Sequence, residues 1–177
     1  AEVVVADRVN EFDPFFRCTY PDTSARAELP DRLAVTTDVG VIAVHRTFLD
    51  SGSGRLAGFD RPKRALGGLG CGAVRLAPPA AGRLGLAEGI ESALSAMQLF
   101  GVPCWATLGN ERFGLVAIPE SVRELHLFID NDAGGELADQ RARKAYLASG
   151  RVIQTRAPAS TDFDWNDELK ASLARET

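Results

Sequence analysis

The sequence predicts an α/β fold: a mainly parallel sheet flanked by helices, preceded by a small β-rich N-terminal subdomain. From Leu84 onward, short apolar runs alternate with segments whose apolar residues recur at helical spacing, the pattern of strand–helix–strand units. Before Pro78 the chain shows strand-like alternation broken by Gly and Pro, with no helical period. Acidic residues also follow three of the apolar runs, directly in two cases, where ligands of open α/β sheets bind.

The elements follow in order. The first ~30 residues, punctuated by Pro14, Pro21 and Pro30, read as loops and short strands. Leu33–Asp50 reads as a hairpin turning at Asp38–Gly40, with Val41, Ala43 and His45 alternating against Ile42, Val44 and Arg46. Ser51–Gly54 is a turn, Arg55–Phe59 a third short strand, and Arg61–Gly72, rich in Gly and basic residues, a loop. Ala73–Leu76 is a further strand. Pro78–Arg83 then breaks the chain into residues 1–82 and 83–177.

Beyond the break, strands are expected at Leu84–Ala87, Val102–Thr107, Leu125–Ile129 and Val152–Thr155. Ile90, Ala93, Leu94, Met97 and Phe100 mark a helix that Gly101 ends. Glu111–Val116 reads as a short helix, Gly134–Ser149 as a longer one closed by Gly150, and Asn166–Ala174 as the last.

Composition narrows the class. In 177 residues, 45% are hydrophobic, enough for a packed core of one domain or a domain with a smaller companion. No apolar run approaches the roughly 20 residues of a membrane helix, and no secretory pattern is present. Cys18, Cys71 and Cys104 are scattered and odd in number, which disfavours a disulfide framework or a zinc ribbon and fits a reducing cytoplasm. Ala1 in place of Met is what a fragment of a longer chain shows, leaving room for an upstream domain.

The candidate site is acidic. Glu88 follows the first strand of the α/β part, Asp130 and Asp132 the third, and Asp162, Asp164 and Asp167 the fourth. Crowded carboxylates raise one another's pKa unless a cation offsets them. A hard ion with oxygen ligands and retained water, Mg²⁺ with Mn²⁺ as a substitute, suits such a set. Two residues apart on extended backbone, Asp130 and Asp132 point to one side, which suits one ion or an adjacent pair, and a two-ion site can serve phosphoryl transfer. Gly134 and Gly135 permit a tight entry into a helix whose N-terminus offers N–H donors to phosphate.

Charge is uneven around a net of −4. Between His45 and Arg83, seven basic residues stand against two acidic ones; from Leu84 on, nine basic residues stand against fourteen acidic. Arg46, Arg61, Lys63 and Arg64 are therefore candidates for binding nucleic acid or nucleotide. His45 and His126 lie within strands and read as structural, and Trp105 reads as core. Trp165, inside the acidic motif, reads as partly exposed.

LAEGIESALSA at Leu86–Ala96, followed about forty residues later by LFIDNDAGG at Leu127–Gly135, resembles the Toprim signature. That Rossmann-like domain is shared by primases, topoisomerases and certain nucleases and recombination proteins. AVHRTFLD at Ala43–Asp50, PKRALG at Pro62–Gly67, GAVRLAPP at Gly72–Pro79 and DFDWNDEL at Asp162–Leu169 are similar to segments of phage and plasmid primase-like Toprim proteins. The resemblance spans roughly residues 33 to 170.

It implies a catalytic or metal-binding role for Glu88, Mg²⁺ binding by Asp130 and Asp132, and a further metal-holding pair at Asp164 and Asp167, where Trp165 and Asn166 interrupt the register. Glu91 lies near a secondary acidic position. Template or nucleotide is expected on the loop of Arg61, Lys63 and Arg64. Such proteins work with DNA template and nucleotides, alongside a zinc ribbon and a helicase that are not in this sequence. Three readings stay open: the primer-synthesising core of a DNA primase, a metal-dependent nuclease, and a non-catalytic module that binds nucleic acid or a partner. A topoisomerase needs a nucleophilic Tyr, and neither Tyr20 nor Tyr146 has a fitting setting.

Overall fold

The computed structural model describes residues 28–50, 53, 55–161 and 163–175, with side chains from Arg32 onward. Expectations for Pro14, Cys18, Tyr20, Pro21, Asp162 and most of the Ser51–Gly54 turn lie outside the described residues. The chain divides into two compact units, one ending at Leu69 and one beginning at Gly70. That division falls ahead of the Pro78–Arg83 break, because the short strand Val74–Arg75 pairs within the α/β sheet.

The first unit is an antiparallel sheet of β1 (Glu28–Thr37), β2 (Gly40–Asp50) and β3 (Lys63–Leu66), in the order β1-β2-β3. The expected hairpin is present, but β1 starts earlier than the sequence indicates. Leu33, Val35, Ala43 and His45 are buried, while Val44 and Arg46 on the alternate face are only partly covered. Two expectations change here. Arg55–Phe59 forms no strand and contributes one isolated bridge, Leu49 to Leu56. The third strand instead lies in the stretch read as loop, where Thr47 and Arg46 pair with Lys63 and Arg64.

The second unit carries a five-stranded sheet, in the order β4-β6-β5-β7-β8. Its strands are β4 (Val74–Arg75), β5 (Arg83–Ala87), β6 (Cys104–Ala106), β7 (Glu124–Phe128) and β8 (Val152–Arg156). β5 through β8 run parallel, and β4 is an antiparallel edge. The helices are α1 (Ile90–Phe100), α2 (Ala133–Tyr146) and α3 (Trp165–Arg175). Gly101, in the left-handed conformation, closes α1 with its N–H on the Met97 carbonyl. The segment read as a helix over Glu111–Val116 is only a 3₁₀ turn, Asn110–Arg112.

Strand alternation divides the core. Leu84, Leu86, Leu125, Leu127 and Trp105 cluster with Ala138, Ala142 and Tyr146 of α2. Burying each leucine there contributes roughly 2 kcal/mol. Phe128 packs with Phe100 of α1 and Trp165 of α3, with ring centroids 5.2–5.6 Å apart. Trp165 is 2% exposed, so the partly exposed placement read from the sequence is corrected. Being the first residue of α3, its ring turns inward while Asp164 and Asp167 remain half-buried. The hydroxyl of buried Tyr146 donates to the Val116 carbonyl at 2.7 Å.

Candidate functional site

The parallel register sets the site. Ala87 of β5 pairs with Phe128 of β7 and with Ala106 of β6, and Phe128 pairs with Arg156 of β8. The segments leaving these strands therefore emerge side by side at one sheet edge. From β6 comes Thr107–Arg112, from β5 Glu88, from β7 Asp130–Asp132, and from β8 the loop to Asp164.

Backbone bonds tie these segments together. The Leu108 N–H donates to the Glu88 carbonyl at 2.9 Å. Asn131 holds the β7 turn against the β8 loop: its side-chain amide donates to the Pro158 carbonyl at 2.9 Å, and its N–H to the Phe163 carbonyl at 3.2 Å. This clamp brings Asp164 into the electrostatic range of Asp130.

The aspartates do double duty. Asp132 is the N-cap of α2, accepting from the Gly135 N–H at 2.8 Å. Asp164 accepts from the Asp167 N–H at 2.9 Å and opens α3 in the same way. Asp167 also lies 3.5 Å from Lys170. Gly134 and Gly135 sit within the first turn of α2, and close approach explains them. A Cβ on Gly135 would collide with the Asp130 carbonyl. One on Gly134 would lie 2.9 Å from Asn110 Nδ2 and 3.1 Å from Asp132 Oδ1.

The charges are mutually unfavourable. Burial, then Glu88, Asp164, Asp132 and Asp167, push the Asp130 carboxyl up to about 7. Burial, then Asp132 and Glu111, raise Glu88 above the usual carboxylate range. Asp130 Oδ1 is buried without a hydrogen-bond partner. Among the described residues, no three His, Cys, Asp or Glu side chains already converge as a ligand cage. Mg²⁺ does not require one: it keeps several waters and takes one or two carboxylates together with substrate phosphates. An orphaned carboxylate oxygen among like charges fits that mode.

Glu91 lies in the first turn of α1, with a carboxylate oxygen 3.5 Å from where a Gly89 Cβ would sit. Glu111, which sequence reading assigned only to a short helix, does act on Glu88. Asn110, Glu111 and Asn131 lie on the segments that meet at this sheet edge and are not among the residues singled out from the sequence. The strand-end rule that singles out Glu88 applies equally to the segment after β6, and was the available signal for Asn110 and Glu111.

In the first unit, Arg46 lies on β2, Lys63 and Arg64 on β3, and Arg61 in the loop before them with φ +56°. Arg64 donates to the carbonyls of Arg61 and Asp60 at 2.7 and 2.8 Å, and its guanidinium lies 5.1 Å from the Phe59 ring centroid. Arg46 lies 5.7 Å from the Phe48 centroid.

Comparison with known proteins agrees with this architecture. A Toprim domain model matches residues 83–174, and the model of a domain of unknown function matches residues 15–76. No curated protein matches the chain. Among solved structures, the fold is similar to a DNA primase domain from Pseudomonas aeruginosa, at 14% identity and TM-score 0.54, covering 86% of this chain and 50% of that one. It is also similar to the DnaG catalytic core, at 16% identity and TM-score 0.56, covering 83% and 52%. The RNA polymerase domain of Mycobacterium tuberculosis primase DnaG matches at 16% identity and TM-score 0.53, covering 83% and 55%. The chain thus spans about half the length of these structures, and at such identities the likeness is one of fold. With the family model covering more than half of the sequence, and strand-end acids on the matched segment, the chain belongs to the Toprim domain family.

Proposed function

We propose that this chain carries a metal-dependent nucleotidyl-transfer centre, the catalytic core of a primase-like protein. The observation that supports it best is Asp130. It holds a buried carboxylate oxygen without a partner, within electrostatic range of four other acids, on the segment that the Toprim model matches. Asp130 and Asp132 would hold Mg²⁺, with Mn²⁺ as a substitute. Asp164 and Asp167 would add a second position, and residues 83–177 would form the catalytic part. The ion would neutralise phosphate charge and lower the barrier to attack on phosphorus. Glu88, its proton affinity raised, is suited to hold or accept a proton at its carboxylate beside that ion. Asp132 keeps its place at the N-terminus of α2 through its bond to Gly135, which would hold its carboxylate ready for the ion.

DNA template and nucleotides are the proposed partners, with Arg46, Arg61, Lys63 and Arg64 on the backbone phosphates. A helicase or a zinc-ribbon domain would act beside them. No helix among the described residues is long and apolar enough to cross a membrane. A cytoplasmic location belongs to the same proposal.

The test is a Mg²⁺ or Mn²⁺ titration by calorimetry on the wild type and on an Asp130→Asn/Asp132→Asn double variant. Saturable binding that the double variant loses is the expected result. Equal binding by both would overturn the site. Primer synthesis and nuclease assays then separate incorporation of nucleotides from their release. Nucleic-acid binding without metal binding would favour a non-catalytic module.

A further inference from the structure

The loop after β6 is shaped with unusual constraint. Leu108 takes φ +67°, a left-handed conformation that a branched side chain rarely adopts, and Gly109 follows at φ +146°. Four hydrogen bonds hold this shape. The Leu108 N–H donates to the Glu88 carbonyl, and Thr107 Oγ1 donates to the Gly109 carbonyl at 3.0 Å. Arg112 Nε donates to the Thr107 carbonyl at 2.6 Å, and the Arg112 N–H to the Gly109 carbonyl at 3.1 Å. Such strain persists only where its surroundings over-determine it. What the loop delivers is Asn110.

Asn110 is oriented from its far side. Arg141, on the third turn of α2, donates from Nη1 to Asn110 Oδ1 at 2.9 Å. A guanidinium has no acceptor, so this bond fixes which end of the amide is oxygen. Nδ2 must then face the other way, and it does: a Cβ on Gly134 would lie 2.9 Å from it and 3.1 Å from Asp132 Oδ1. Among the described residues, Nδ2 has no acceptor of its own. Two N–H donors are thus held at the rim of an acidic site, where an anion bound with the metal would place its oxygens.

We propose that Asn110 is a substrate-contacting residue, its Nδ2 donating to a phosphoryl oxygen of a ligand held through the ion that Asp130 and Asp132 would bind, with Arg141 as the positioning residue that sets the amide. This rests on the metal-dependent reading of the site. The ligand chemistry is a phosphate oxygen, either of a nucleoside triphosphate or of a nucleic-acid phosphodiester.

The experiment compares the wild type with Asn110→Ala, Asn110→Asp and Arg141→Ala in three titrations: Mg²⁺ alone, a non-hydrolysable nucleoside triphosphate with Mg²⁺, and a single-stranded oligonucleotide with Mg²⁺. Losing a hydrogen bond to a charged partner weakens binding about ten- to a hundredfold. That loss is expected for Asn110→Ala in one phosphate titration, and whichever falls identifies the source. Mg²⁺ binding by Asn110→Ala should stay within about threefold of wild type. Arg141→Ala should show a smaller loss, because its amide is free to flip. Asn110→Asp keeps the shape and the Arg141 bond but replaces the donor with an anionic oxygen, so it decides the matter if Asn110→Ala does not fold. Unchanged phosphate binding in these variants overturns the proposal and leaves the metal site standing. Equal loss of Mg²⁺ and phosphate binding overturns it in favour of a structural role. A wild type that binds neither Mg²⁺ nor phosphate ligand removes the underlying reading together with it.

Discussion

Asp130 keeps its proton up to about pH 7 in the absence of a cation. Mg²⁺ must displace that proton, so its affinity should rise by up to about tenfold per pH unit below 7 and level off above. Calorimetry in two buffers of different ionisation enthalpy should then show about one proton released near pH 6. An affinity that does not change between pH 6 and 8 would exclude this coupling. Stability follows the same sign. A carboxyl whose folded-state pKa is raised favours the fold below its unfolded value, near 4, and that contribution is lost as pH rises through about 7. At pH 8 the metal-free Asp130→Asn variant should therefore be the more stable, by on the order of 1 kcal/mol, a modest figure because the side chain is only partly buried.

At the scale of elements, most strand and helix positions from Leu84 onward were legible, because the apolar runs of β5, β6 and β7 are buried on the sheet and the helices carry apolar residues at helical spacing; Glu111–Val116 is the exception. The register that aligns strand ends is a regular property of parallel sheets, so the convergence of Glu88 and Asp130 could be read as well. Non-local pairing could not. β3 is four residues, all exposed, and exists through its ladder with β2, leaving no alternation to detect. Trp165 was misread because its neighbours are acidic, while its own environment is the Phe100–Phe128 face. Asn131 shows the same limit: one amide between two aspartates carries no spacing signal, yet it ties the β7 turn to the β8 loop. Asn131→Ala should cost about 1–2 kcal/mol in denaturant unfolding, with Mg²⁺ affinity reduced as Asp164 drifts from Asp130. Wild-type stability and affinity in that variant would show that the loop is held by other contacts.

At the scale of the whole molecule, each unit has its own electrostatic character. The second is acidic at its strand ends, where Glu88, Asp132 and Asp164 act on Asp130. The first sets like charges opposite one another as well: Arg32 pairs with Arg46 and Arg46 with Arg64 in register across all three strands. Same-sign residues directly opposite in a sheet cost stability. A polyanion laid across the strands would offset that cost, since each phosphate neutralised releases counterions. If Arg46 and Arg64 each contact one phosphate of single-stranded DNA, Arg46→Ala and Arg64→Ala should each lower the slope of log affinity against log salt by about one, with similar loss for all sequences. Arg46→Ala is the cleaner probe, because Arg64 also bonds two loop carbonyls and packs near Phe59. Removing one member of a like-charged row should leave the thermal midpoint of Arg46→Ala at or above wild type at low salt. A salt slope identical to wild type in both variants would place the nucleic-acid contact off this sheet.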